Sequence, residues 1–206
     1  MLDGSQPRFV VLEGIDGSGT TTQSERLSHA LRTRGHEVCT THEPSTGRIG
    51  TLARHGLGEG DADLSHDALA LLFAADRLDH VAREIDPALR RGEIVVCDRY
   101  VLSSYAYQGL TCPPDWVAAI NRRARVADVT FWLDLDAEVA AARVAARQRE
   151  TGQSDERFDR LDLQRRLAAS YRRLAEAEDP VIRVDAAASA DDVAAAILRH
   201  CIEMGL

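Results

Sequence analysis

The stretch EGIDGSGTTTQ, residues 13–23, follows the apolar run FVVL at residues 9–12 and precedes a segment with helical spacing. A glycine-rich turn between a buried strand and a helix start lets backbone N–H groups converge on phosphate oxygens, helped by the partial positive charge of the helix N-terminus. The usual pattern is Gly, four residues, Gly, Lys, then Ser or Thr. Gly14, Gly19 and Thr21 meet it, but Thr20 holds the lysine position.

Further apolar, β-type runs at residues 38–41, 94–97, 129–135 and 181–184 alternate with helical stretches. That alternation predicts an α/β fold with a parallel sheet of about five strands and helices on both faces. The runs are nearly continuous rather than alternating, as strands covered on both faces require. Residues 23–34 carry Leu27, Ala30 and Leu31 at helical spacing and stop at Gly35. Residues 64–91 read as helical with a break near Pro87, and residues 116–125 and 137–148 as two further helices. The charged segment RETGQSDERFDR, residues 149–160, reads as a loop between helical stretches. A chain of 206 residues has the length of one ordinary domain, here taken as residues 1–206.

An apolar share of 45% with 28% charged residues is that of a globular protein, and no run approaches the roughly 20 apolar residues that span a membrane. The opening MLDGSQPR lacks a signal-peptide core. Cys39, Cys97, Cys112 and Cys201 are far apart with no C-x-x-C pair, which favours reduced core thiols in a cytoplasmic protein over a metal site. All 25 cationic side chains are arginine, so any side-chain phosphate clamp must be arginine. The net charge of −8 argues against nucleic acid as partner, as the lack of a spanning apolar run argues against a membrane, and anion binding must come from local arginines and backbone N–H groups.

Several segments, in order, resemble the bacterial thymidylate kinases. The family loop EGxDGxGKTTQ is present as EGIDGSGTTTQ and its REPGGT segment loosely as HEPSTGRIG. Its F-x-A-x-R segment is FAADR, its DRY…AYQG segment is DRYVLSSYAYQG, and its charged lid is followed by DERFD. The resemblance covers nearly the whole chain and implies a P-loop kinase fold, usually homodimeric, with a lid near residues 149–160. It implies ATP-dependent phosphorylation of dTMP to dTDP with Mg²⁺.

The implied roles fall residue by residue. Gly14, Asp16, Gly17, Ser18, Gly19, Thr20, Thr21 and Thr22 would cradle ATP, with Thr21 and Asp98 at Mg²⁺. Phe73 would stack on the thymine ring and Arg77 donate to its carbonyl, with Ser104, Tyr107, Gln108 and Asp16 around base and sugar. Arg99, following a strand end, has the planar fork suited to the acceptor phosphate. Gly17 stands where some members place arginine, and members with glycine there carry catalytic arginines in the lid; Arg143, Arg147, Arg149 and Arg157 lie in or beside it, with Arg149 and Arg157 the better candidates. His42 replaces an arginine common before Glu-Pro. A catalytically impaired nucleotide-binding protein, or a kinase for another nucleoside monophosphate, is the alternative that Thr20 keeps open.

Overall fold

The computed structural model describes residues 8–57, 64–151, 161–177 and 181–206. Five strands, β1 (Phe9–Gly14), β2 (Val38–His42), β3 (Ile94–Asp98), β4 (Val129–Asp134) and β5 (Val181–Asp185), form one parallel sheet in the order β2-β3-β1-β4-β5. All five coincide with the apolar runs of the sequence to within two residues at each end. The central strands β1 and β3 are buried throughout, whereas the edge strands β2 and β5 each bury one residue of five, because an edge has a neighbour on one side only.

Adjacent residues of β1 point to opposite faces, so two cores form. Val10 and Leu12 meet Leu27 and Leu31 of α1 (Thr20–Thr33), while Phe9 and Val11 meet Ile85 and Ala88. Each of the larger side chains, Val, Leu, Ile or Phe, taken fully from water contributes about 1.5–3 kcal/mol. The helix predicted over residues 64–91 is α3 (His66–His80) running through a π segment (Val81–Ile85) into α4 (Asp86–Arg90). The irregularity lies a turn before Pro87, whose ring displaces the carbonyl four residues earlier and which has no N–H to return. Of the predicted loop 149–160, Arg149–Thr151 is the end of α7 (Ala137–Thr151), and the remainder lies outside the described residues. The other helices are α2 (Arg48–His55), α5 (Val101–Tyr107), α6 (Pro114–Asn121), α8 (Leu161–Ala177) and α9 (Ala190–Glu203).

The chain leaves β1 toward β2 on one side and leaves β3 toward β4 on the other. The crevice between the carboxyl ends of β1 and β3 is therefore the topological switch point, where ligands bind in open α/β sheets. Leu12 and His42 both pair in register with Asp98, which brings the loop after β1 and the residues after β2 and β3 to one rim.

Candidate active site

Residues Asp16–Thr22 wall a cavity of about 1030 Å³ that opens at this switch point. The loop turns tightly: the Ser18 N–H donates to the Ile15 carbonyl at 3.0 Å, and Gly17 and Gly19 have φ of +86° and +96°. A Cβ on Gly17 would lie 2.5 Å from the Ala140 carbonyl oxygen of α7, so the arginine that some family members place here has no room. α1 has no acidic residue in its first turn, and its N-terminal partial charge faces the cavity without a carboxylate to offset it.

Across the crevice, β3 ends in Asp98. The Thr21 hydroxyl donates to Asp98 Oδ2 at 2.5 Å, and Asp98 Oδ1 is buried with no hydrogen-bond partner among the described residues. Arg99 follows at φ +69°, a left-handed backbone costing a non-glycine residue about 1–3 kcal/mol. That turn aims its guanidinium back at β1, where it donates to the Gly14 carbonyl at 2.8 Å and to Asp16 Oδ1 at 2.5 Å. It also lies 5.4 Å from the Tyr107 ring centroid, and the Tyr107 hydroxyl donates to Asp16 Oδ2 at 3.1 Å. Burial raises the pKa of that hydroxyl, so it remains a donor. Asp16, Arg99 and Tyr107 thus form one charge-assisted cluster beside the loop.

Phe73, Arg77, Ser104 and Gln108 line the far end of the same cavity. Arg77, rather than reaching into open space, is 2% exposed and surrounded by protein acceptors. Its Nε donates to Glu43 Oε2 at 2.8 Å, Nη2 to the Tyr100 carbonyl at 3.0 Å, and Nη1 to Ser104 Oγ at 3.1 Å and to Asn121 Oδ1. A base carbonyl would have to replace one of these. Arg143 and Arg147 line the loop end of the cavity, with Arg143 Nη1 3.5 Å from the Gly17 carbonyl oxygen. Arg149 is exposed and not among the lining residues, and Arg157 lies outside the described residues.

Four supporting residues were not singled out from sequence: Glu13, Glu43, Asp76 and Asn121. Asp76 accepts from the Ser45 N–H at 2.7 Å and its hydroxyl at 2.5 Å, fixing the chain after β2. Glu13, fully buried in β1, accepts from the Tyr100 and Ser103 N–H groups at 2.8 and 3.0 Å. It caps α5, which has no side-chain cap of its own, and its charge suits that helix N-terminus. A lone acid ending an apolar run was the available signal for Glu13. Asn121 had none, since its partner Arg77 is 44 residues away.

Burial raises the Glu13 pKa above its ordinary 4.5, against hydrogen bonds from Ser103 that lower it. The native state therefore keeps this proton to higher pH than the unfolded chain does. Stability should fall as pH rises from 4.5 through the native pKa. Urea unfolding across that window should show this decline in the parent protein and not in a Glu13→Gln variant. Parallel profiles would refute it.

The family sequence model described as thymidylate kinase matches residues 12–197. The probable thymidylate kinase of Pyrococcus abyssi is 42% identical over 194 residues, covering 90% of this chain and 91% of that protein. The thymidylate kinases of Solidesulfovibrio magneticus and Bifidobacterium longum are 41% and 40% identical over 200 residues, each covering 92% of this chain and 96% and 94% of theirs. Archaeal and bacterial proteins are both among these relatives, so the similarity reaches the family and not its bacterial branch.

Proposed function

The chain belongs to the thymidylate kinase family, and we propose that it transfers the γ-phosphoryl group of ATP to dTMP, giving dTDP, within the cavity at the β1–β3 switch point. One observation carries the reading. The phosphate loop and the Asp98-Arg99 strand end face each other across a single cavity whose far wall holds Phe73, Arg77 and Ser104.

The acceptor phosphate oxygen of dTMP is already anionic, so no strong general base is required; positioning and cations are. In this reading the loop N–H groups and the α1 N-terminus hold the donor phosphates, while Arg99 receives the acceptor phosphate, held beside it by Asp16. Phe73 offers a face to the base, and Tyr107 and Gln108 bound the sugar. Thr21 and Asp98 fit a Mg²⁺ ion, because the unpartnered Asp98 Oδ1 supplies an oxygen and Mg²⁺ takes most of its ligands from water and phosphate. Among the described residues there is no cluster of three or more potential protein ligands, which agrees with a site of that kind. When bound, such an ion would neutralise charge on the transferring phosphates.

We propose further that the chain acts as one domain and as a homodimer. Leu71, Ala75 and Leu78 form an exposed apolar stripe on α3, continued by Leu52 on α2, the kind of surface a second copy would cover. A monomer mass in sedimentation equilibrium would overturn the dimer.

With ATP and Mg²⁺, the purified protein should convert dTMP in preference to dUMP, dCMP, dGMP and thymidine in a coupled ADP-release assay. Thymidine as the best acceptor would refute an anionic nucleophile. The second reading, a nucleotide-binding protein without turnover, rests on Thr20 alone and predicts dTMP and ATP binding with no ADP released.

A further inference from the structure

The hydrogen-bond arrangement around Arg77 makes its guanidinium a fixed strut. Every nitrogen has a protein acceptor within 3.1 Å, and the ion pair with Glu43 is buried at both ends. On the α6 side the acceptor is Asn121, itself 4% exposed. The orientation of the Asn121 amide is set independently, because its Nδ2 donates to the Val117 carbonyl at 2.9 Å. The oxygen therefore faces Arg77, and an Arg77 N–H is left for Ser104.

Ser104 is buried, lines the cavity, and accepts from Arg77 at 3.1 Å. A hydroxyl has one proton to give. No acceptor for that proton is present among the described residues. Arginine cannot accept a hydrogen bond and Arg77 has its own N–H groups committed to protein acceptors, so the Ser104 hydroxyl is the donor that this wall presents to the cavity. Thymine carries a carbonyl at position 4 where cytosine carries an amino group. A donor wall pairs with the first and leaves the second facing a like donor.

We propose that Asn121 is a positioning residue which, through Arg77, fixes the Ser104 hydroxyl as a donor toward the acceptor base and so selects a 4-carbonyl pyrimidine over a 4-amino one. The inference rests on dTMP being the acceptor. Asn121 touches neither nucleotide in this account, and its effect passes through two side chains.

The test is the ratio of kcat/KM for dTMP to that for dCMP, measured beside the KM for ATP. Ser104→Ala should lower the ratio by about tenfold or more, the worth of one directed hydrogen bond. Asn121→Leu should lower it comparably through the KM for dTMP, with the KM for ATP moving less than about twofold. Asn121→Asp keeps an acceptor for Arg77 and should retain most of the ratio. The Asn121→Leu/Ser104→Ala double variant should be no less selective than Ser104→Ala alone, because both changes remove one device. An unchanged ratio with both rates falling together in Asn121→Leu would mark a purely structural role and overturn the inference, as would additive losses in the double variant. Should Asn121→Leu not fold, the Ser104→Ala and Asn121→Asp ratios decide the same point: an unmoved ratio in the first, or a lost one in the second, overturns it. A parent protein inactive on dTMP would instead defeat the proposed function, so the two failures are distinguishable.

Discussion

Replacing Asp98 by Asn should lower kcat for dTMP phosphorylation by on the order of 10²-fold or more while the protein remains folded. Asn is nearly isosteric and can still accept from the Thr21 hydroxyl through its carbonyl oxygen, so the 2.5 Å contact between β3 and α1 has a substitute. The change removes the negative charge and turns the buried, unpartnered oxygen into an N–H donor or leaves it facing one. A group that aligns a cation with transferring phosphates matters most in the transition state, so kcat should fall more than the affinity for ATP. Steady-state kinetics over a Mg²⁺ series, with thermal unfolding as the control for folding, make the comparison. An unchanged rate with full Mg²⁺ dependence would remove Asp98 from the metal's surroundings.

The second large effect concerns the charge that Thr20 does not supply. Losing one charge-assisted hydrogen bond costs about 1.5–3 kcal/mol in binding, whereas a cation acting on a phosphoryl-transfer transition state is worth roughly 10³ to 10⁵ in rate. ATP binding can thus survive Thr20, but turnover needs a replacement. Of Arg143, Arg147, Arg149 and Arg157, in or beside the lid, the sequence favours Arg149 or Arg157. Arg157 lies outside the described residues, and among those described the cavity has Arg143 and Arg147 on its wall, with Arg143 3.5 Å from the Gly17 and 3.2 Å from the Ala186 carbonyl oxygen. If Arg147, one turn further along α7 on the same cavity wall, serves the donor phosphates, its loss is felt in turnover. Arg147→Ala should lower kcat by about 10³-fold, and Thr20→Lys alone should change it by less than about tenfold. Adding Thr20→Lys to Arg147→Ala should restore at least part of the rate, since two cations would be serving one phosphate. Strictly additive effects would put Arg147 elsewhere, and a steep loss in Arg157→Ala with none in Arg147→Ala would return the role to the lid. Thr20→Lys converting an inert protein into an active kinase would establish the reading without turnover.

The strands were legible in the sequence because burial on two faces demands unbroken apolar runs, and residues 9–12 and 94–97 have no other stable use. The phosphate loop was legible because its glycines, such as Gly17 with φ +86° and a carbonyl against its α-carbon, answer local backbone constraints. Helices α2, α8 and α9 were not called as such: they are amphipathic elements whose apolar residues make sense only once a sheet is present to receive them. The site divided in the same way. Resemblance to the family's motifs, in their order along the chain, brought Thr21, Asp98, Arg99, Phe73 and Ser104 forward as a set. Whether a charged residue is exposed to a ligand or consumed by the protein is a different matter, set by groups remote in sequence. Glu43, Tyr100 and Asn121 converge on Arg77 from three elements. Arg147 reaches the cavity and Arg149 does not because α7 continues past the predicted loop start, and two residues along a helix turn a side chain to the opposite face. Local pattern determined the elements and the chemistry that they could carry; tertiary structure decided which arginines line the cavity and which are enclosed by protein acceptors, because that depends on neighbours the chain meets only after folding.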